Sequence, residues 1–492
     1  MDQESSIYWM EESILFKVMN RKIIIGYCFL MILSLRLSAQ NNPTSNFTLD
    51  ACITIALENN LDLKTTQLSA KKAVINYNQA RLDIIPNLNA NFNLGLNNGR
   101  SIDPFTNDFI NQELTFSNAG LNLNATFFNG FKIMNSIKQN RFNLLASEME
   151  IEENKQRLVL EVTLKYFQIL NAIDALKLTK LRLKTTNVQL KRLEVRYKQQ
   201  IGNPAEYTDM LGQFTQDQSE IENTKNNLKT VLFDLSRLLN LTIETNSDFQ
   251  DILGTVDADK YPISAREVFE EALENLATFK SKKYRIDAAE SGVKVAKSNY
   301  YPEVSLFGQL NTNYSSLANA FTETGSQIVA TGGFVTIDNQ EVPVLRNETQ
   351  FDSSKIDYSN QFNNNLSSTV GVAVRIPIFN SLQAKNKVKI RKIELEESRI
   401  EMENTRLLFK QSIEQAYNDM ESAYNRYFIQ LQQLDAYNES FRVNEVRFEN
   451  GVSNSVAYIM SKNNRDAAQL NLNRNKYEYL LRVKILDFYR GR

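Results

Sequence analysis

The stretch "SNYYPEVSLFGQL" (Ser298–Leu310) decides the architecture. A charged run of helical character reaches Tyr300-Tyr301, meets Pro302, and gives way to residues that alternate apolar and polar. Proline has no N–H for a ladder and is tolerated at the first residue of a strand, so Pro302 reads as a strand start. "LDIIPNLNANFNLGL" (Leu82–Leu96) makes the same change at Pro86, 216 residues earlier. A chain that switches twice from a helical to a period-two pattern at a proline points to an internal repeat.

"ALENNLDLK" (Ala56–Lys64) returns as "ALENLATFK" (Ala272–Lys280), again offset by 216. Beyond the first strands the offset becomes 251: "FFNGFKIMNSIK" (Phe127–Lys138) matches "IFNSLQAKNKVK" (Ile378–Lys389), and "RYKQQIGNPAEY" (Arg196–Tyr207) matches "RFENGVSNSVAY" (Arg447–Tyr458). The second copy therefore carries 35 extra residues between its strands. That insertion lies within 313–365, rich in Ser, Thr, Asn and Gly, and reads as a long loop.

Each copy predicts the order helix, strand, loop, strand, very long helix, tight turn, helix. Repeat 1 covers 47–241, with strands at about 86–98 and 117–128, a long helix at 132–201 and a helix at 204–241. Repeat 2 covers 263–490, with strands at about 302–313 and 366–379, a long helix at 384–450 and a helix at 454–488. Residues 242–262 link the two. Neither long helix contains Gly or Pro, and each would reach roughly 100 Å at 1.5 Å per residue, beyond ordinary globular helices. In the second, Ile413, Tyr417, Met420, Tyr424, Tyr427, Leu431 and Leu434 step by four and three, a coiled-coil seam. A single long amphipathic helix on a globular core is the alternative, but no core of matching length is visible.

Both long helices end in hairpin turns. Gly202 suits a left-handed C′ position, with Asn203 as N-cap, Pro204 at N1 and Glu206 at N3 of the next helix. Gly451, then Ser453 or Asn454, does the same in the second copy. Glu206 and Asp209 share one helical face, so they are either an acidic ring at an entrance or a capping residue and a solvated one.

In the strands, Leu88, Ala90, Phe92, Leu94 and Leu96 alternate with asparagines, and Leu121, Leu123, Ala125 and Phe127 alternate with Asn122, Asn124 and Thr126. Val304, Leu306 and Leu310 share a face, as do Val370, Val372, Val374, Ile376 and Ile378. The apolar face needs either a protein core or lipid, and strands of about 9–11 residues suit a membrane. Tyr300, Tyr301, Phe127, Phe128 and Phe379 cluster at the strand–helix boundaries, as an interfacial girdle would. Four strands cannot close a barrel and open edges are not tolerated in hydrocarbon, so several chains are expected to donate strands to one barrel. A soluble four-stranded sheet is the competing reading.

Composition narrows the chemistry. The 492 residues include no histidine, which removes the commonest general base and metal ligand. Two cysteines, Cys28 and Cys52, give no disulfide framework, and a net charge of −1 gives no argument for nucleic acid. No nucleotide-binding glycine loop or metal-ligand cluster stands out, and the ten methionines are scattered. No catalytic, cofactor or metal residue is assigned. A carboxylate-based glycosidase is disfavoured because no acidic pair stands out from helix-surface charge. "MNRKIIIGYCFLMILSLRLSAQ" (Met19–Gln40) pairs a basic flank with a short apolar core and small residues, a signal peptide rather than an internal helix. Residues 1–39 are read as a spurious upstream segment plus that signal. Tyr27 precedes Cys28 where a lipoprotein would have a small residue.

The proline-led strands, the "ALENN" opening, the duplicated plan and the "RY…G" and "RF…G" hairpins resemble the TolC family of outer-membrane efflux and secretion channels. The resemblance runs from "FTLDACITIALENN" to "YLLRVKILDFYRG". It implies a mainly α protein with β: a long coiled-coil α-helical barrel in the periplasm, plus a membrane β-barrel of four strands per chain, 12 in a homotrimer. The linker and C-terminal segment would form an equatorial collar. It also implies an exit duct in the outer membrane of a Gram-negative bacterium, serving a tripartite efflux or type I secretion system. The partners implied are a periplasmic adaptor (membrane fusion) protein, an inner-membrane pump of RND or ABC type, and outer-membrane lipid. The docking tips would be Gly202, Asn203, Pro204, Gly451, Ser453 and Asn454. Family members carry gate acids after the second hairpin, but Ala457 and Met460 stand there, which leaves Glu206 and Asp209 as the candidate ring. The alternative function is a surface-binding or adhesion protein using the 313–365 loop.

Overall fold

The structure, a computed structural model, describes residues 47–102, 107–111, 113–201, 203–245, 247–251, 260–338 and 340–491. The signal-like segment, Cys28, Gly202 and 252–259 of the linker lie outside the described residues. In the first copy the elements are α1 (Leu49–Asn59), α2 (Leu61–Leu82), β1 (Asn87–Asn97), β2 (Arg100–Ile102), β3 (Phe109–Asn111), β4 (Leu114–Asn129), α3 (Lys132–Lys198) and α4 (Pro204–Leu239). The second copy follows with α5 (Ala265–Asn275), α6 (Ala277–Lys297), β5 (Glu303–Ser315), β6 (Asn319–Ile337), β7 (Gln340–Lys355), α7 (Tyr358–Asn364), β8 (Ser367–Arg375), α8 (Gln383–Glu449) and α9 (Ser455–Tyr489).

Two compact units result. One takes Asp62–Lys155, Ala265–Glu414 and Tyr489–Arg492 and contains the strands named above. Its main sheet has the order β1-β4-β5-β8, antiparallel throughout, so the two copies join at β4–β5. A bulge interrupts that central pair: Thr126 faces Ser305 and Phe128 faces Val304, which leaves Phe127 unpaired. The extra residue shifts the alternation, so Phe128, not Phe127, continues the apolar row of Leu121, Leu123 and Ala125.

The insertion at 313–365 is not a loop. β5 runs on to Ser315, β6 and β7 pair as a long antiparallel hairpin, and α7 closes the segment. The Ser, Thr, Asn and Gly content hid the β-branched character of "QIVATGGFVTI" (Gln327–Ile337). Asp338, with φ of 50°, opens its tight connection, a conformation that short hairpin turns require.

The other unit takes the chain up to Leu61, Gln156–Ser264 and Gln415–Phe488, and is helical. Thr48 caps α1 by accepting the Ala51 N–H at 3.1 Å. The chain breaks at Asn60, whose side-chain amide donates to the Leu238 carbonyl at 3.1 Å. Leu276, the equivalent residue of the second copy, breaks α5 from α6 in the sheet-bearing unit. The incoming helices are therefore each two pieces, with one break repeated at an offset of 216. Of the linker, Phe249 bridges Phe47 in parallel and Tyr166 Oη sits 2.8 Å from the carbonyls of both Phe47 and Gln250. Tyr261 donates to Asp487 of α9 at 3.2 Å.

One row of the α8 seam, through Ile413, Met420 and Leu434, is buried as the sequence reads it, and the second row is shifted. Ile413, Met420, Leu434, Phe441 and Phe448 are buried, each a multiple of seven from the last, and the second row runs through Ala416 and Ala423. Tyr417 and Tyr424 are only half-buried and Leu431 is exposed. Small alanines carry the close contacts of the seam while the larger tyrosines flank it; Tyr424 packs on Phe428 and on Tyr479.

Candidate functional site

Across the main sheet, Leu88, Leu123, Gly308 and Val370 stand opposite one another. Neighbouring rows are Ala90, Leu121, Leu310 and Ser368, then Ala125, Leu306 and Val372, then Phe128, Val304 and Val374. Opposed residues of a ladder share a face, so these rows make one apolar surface. It is open: Val370 is 78% and Leu88 61% exposed. The reverse face is polar, with Asn89, Asn122, Gln309 and Thr369 in one row, and Asn122 donates diagonally to Asn91 at 3.0 Å.

The boundary aromatics sit at one end of this sheet. Tyr300 ends a short 3-10 turn, Tyr301 follows it, and both are exposed, as are the bulged Phe127 and Phe379. Phe128 packs edge-on against Phe131 at 5.5 Å. Gly130 has φ of 64°, and a Cβ there would come within 2.7 Å of the Tyr301 Cβ, so the first copy backs onto the second at this residue. A cavity of about 390 Å³ lies where the strands meet α3 and α8, lined by Asn129, Lys132, Glu303, Arg375 and Lys387 among others.

In the helical unit the two hairpin tips are built alike. The first helix ends with Gln200 in the left-handed region at φ 56°, and the Ile201 N–H reaches back to the Arg196 carbonyl at 2.9 Å. The second ends with Gly451 at φ 71°, and the Val452 N–H reaches the Arg447 carbonyl at 2.8 Å. These are matching Schellman turns, and the residue equivalent to Gly451 is Gln200, not Gly202. Asn203 caps α4 through the Ala205 N–H at 3.0 Å, with Pro204 in its first turn; Asn454, not Ser453, caps α9 through the Ala457 N–H at 3.0 Å. The Ser455 hydroxyl donates to Asp209 at 3.0 Å, which ties the first hairpin to the second. Glu206 is half-buried in the first turn of α4, and Asn203 is the N-cap, as the sequence reads. Tyr197 stacks on Tyr207, and Leu190, Leu193, Met210, Phe441, Phe448 and Tyr458 form a core behind the tips.

Above that core lies a charge cluster that sequence reasoning missed. Lys462, fully buried, lies 2.9 Å from Asp466 and 3.4 Å from Asp217. Arg182 Nε lies 2.8 Å from Asp217 Oδ1, an ion pair outside hydrogen-bond angles, while Arg465 reaches Asp466 at 2.6 Å. Thr186 and Gln213 donate to the same Asp217 carboxylate. The Lys462–Asp466 spacing of four was legible on α9, but such pairs are common on exposed helix faces, and nothing local pointed to α3 and α4. Cys52 is buried, and burial pushes its thiol up to about 12, so it is an inert packing residue. Among the described residues no group of side chains could hold a metal ion, and no helix is long and apolar enough to cross a membrane.

The comparisons agree on one architecture. The model of the outer membrane efflux protein family matches residues 52–241 and 268–492. An uncharacterised protein of Haemophilus influenzae is 22% identical over 439 residues, covering 86% of this chain and 82% of the relative. A probable outer membrane lipoprotein, SilC of Salmonella typhimurium, is 25% identical over 324 residues, 63% of this chain and 64% of its own length. Among solved structures, the channel protein CusC superposes with a TM-score of 0.72 at 16% identity, covering 92% of this chain and 95% of that one. The CmeC outer membrane channel of Campylobacter jejuni gives 0.72 at 16% identity over 92% and 90%, and VceC of Vibrio cholerae 0.70 at 13% over 90% and 96%. With a four-stranded sheet in which two strands are proline-led, an open apolar face and two helical hairpins, the chain belongs to the outer membrane efflux protein family, as an outer-membrane efflux channel with the TolC-like fold.

Proposed function

We propose that the chain works as a passive exit duct assembled from three copies. The observation that carries this reading is the main sheet, whose edge strands β1 and β8 each leave one side unpaired beside an open apolar face. In hydrocarbon every unpaired N–H or C=O costs several kcal/mol, so the edges must be joined, β8 of one copy to β1 of the next. Two copies would give roughly eight strands, a ring filled by its own side chains; three give about twelve and leave a lumen. The apolar rows then face lipid and the asparagine rows face water.

The two repeats, 47–241 and 263–490, supply equivalent strands and hairpins, and the linker 242–262 belongs to the equatorial collar. The tips at Asn203-Pro204 and Gly451 to Asn454, with Gly202, dock on a periplasmic adaptor protein fed by an inner-membrane pump of RND or ABC type. Glu206 and Asp209 from three copies ring the entrance and favour cations. No catalytic step is required of the chain, since the pump supplies the energy.

Native mass spectrometry in detergent and planar-bilayer recording test the duct: a trimer that conducts is expected, and a monomer needing no detergent overturns it. For the ring, Glu206→Gln with Asp209→Asn is expected to lower cation selectivity. Unchanged selectivity in conducting trimers would remove the ring and leave the duct standing.

A further inference from the structure

The β6–β7 hairpin takes no part in the sheet, yet its residues number 19 and 16 in the two strands and almost all are exposed. An isolated two-stranded ribbon is marginal in water at best. Its faces differ. Phe321, Ile328, Phe334, Pro343, Leu345 and Phe351 fall on one side by register, and all three phenylalanines are at least 60% exposed. Arg346, Glu348, Gln350 and Asp352 fall on the other. Glu323, opposite Phe351, and Glu341 also lie on the phenylalanine face, and Val329, Val335, Ile337 and Val342 lie on the second, so what separates the two faces is where the aromatic rings fall.

The root of this ribbon is fixed. Gln361, 1% exposed, accepts the Ser315 N–H at 2.9 Å and donates to the Ser315 and Ile356 carbonyls at 3.0 and 2.8 Å. Tyr358 stacks on Phe362 and meets Tyr314 at a tilt of 46°. The hairpin therefore starts from a set position between β5 and β8, and β8 is the edge strand at which a neighbouring copy would join.

We infer that the β6–β7 hairpins of three copies pack their phenylalanine faces together into a crown over the outer mouth of the duct. This rests on the trimeric duct proposed above, which puts the strand ends remote from the helices outside the cell. Twelve strands make a ring about 10–13 Å in radius, whereas 16 extended residues reach about 50 Å, so the ribbons easily meet over the axis. The exposed apolar face amounts to on the order of 600 Å² per copy, near the ~800 Å² that each partner gives to a specific interface. Five acidic against two basic residues in 319–355 disfavour an anionic lipid surface as the occupant. The open edges also suit pairing with a second ribbon of the same kind.

The test uses the full chain in membranes with a bis-maleimide crosslinker, since the native Cys52 is buried. Phe334→Cys is expected to give crosslinked pairs of chains, and Glu348→Cys, on the opposite face, at least tenfold fewer. Phe334→Asp with Leu345→Asp is expected to raise single-channel conductance at least twofold while the trimer persists. Trimers with no Phe334→Cys crosslink, equal crosslinking at both positions, or capture of a chain of different mass by the ribbon overturn the crown. If the unsubstituted chain is not trimeric, the duct reading itself falls.

Discussion

Lys462 Nζ lies 3.4 Å from Asp217 Oδ2, and neither side chain exposes any surface. Removing one member of a buried ion pair leaves an uncompensated charge, at a cost of about 3–5 kcal/mol. Asp217→Leu leaves Lys462, Arg182 and Arg465 sharing the one carboxylate of Asp466, and is expected to destabilise the helical unit by that order, while Asp217→Leu with Lys462→Met loses less than the single change. Urea unfolding in detergent measures both.

The two tips make opposite predictions from one geometry. Gln200 and Gly451 occupy the same left-handed position, at φ of 56° and 71°. A side chain costs about 1 kcal/mol there, so Gln200→Gly is expected to stabilise by up to that amount and Gly451→Ala to destabilise by about as much. Thermal melts of the two variants should move in opposite directions.

On the sheet, Leu306 stands in the apolar row with Ala125 and Val372, and Ser305 in the polar row with Thr126 and Ala373. A basic residue facing the middle of the lipid costs about 2–4 kcal/mol, and one facing the lumen far less. Leu306→Arg is expected to deplete the assembled protein in outer-membrane fractions, and Ser305→Arg to leave it near normal, as followed by immunoblot.

Tyr166 and Tyr458 each have their phenol pushed up to about 12, burial being the first cause in both. The folded state thus holds these protons more tightly than the unfolded chain, whose phenols titrate near 10. Their contribution is complete below pH 10 and is lost as pH rises toward 12. Stability is expected to fall across that window, and Tyr166→Phe, though less stable at neutral pH, should fall less steeply. Circular dichroism through an alkaline titration gives the slope.

Pro86 and Pro302, the alternating strands, the gap-free helical runs and the capping asparagines were all legible, because each depends on residues within a few positions of one another. The insertion reads as a loop for a related reason: polar, β-branched strands that no core covers lack the contrast that marks a buried one. Only the second row of the α8 seam differs from its sequence reading, because alanine, the residue that permits close helix approach, is a weak hydrophobic signal.

By itself the sequence determined the duplicated plan, the order of the long helices and main-sheet strands, and the two faces of those strands, since periodicity is written locally into the chain. Only the tertiary structure decided which residues meet over long separations. It brought Asp217 to Lys462, Asp209 to Ser455 and Gln361 to Ser315, and it slid the alternation of β4 by one residue at Phe127. Such pairings follow from how elements far apart in the chain pack and register against one another, and no local pattern encodes that geometry.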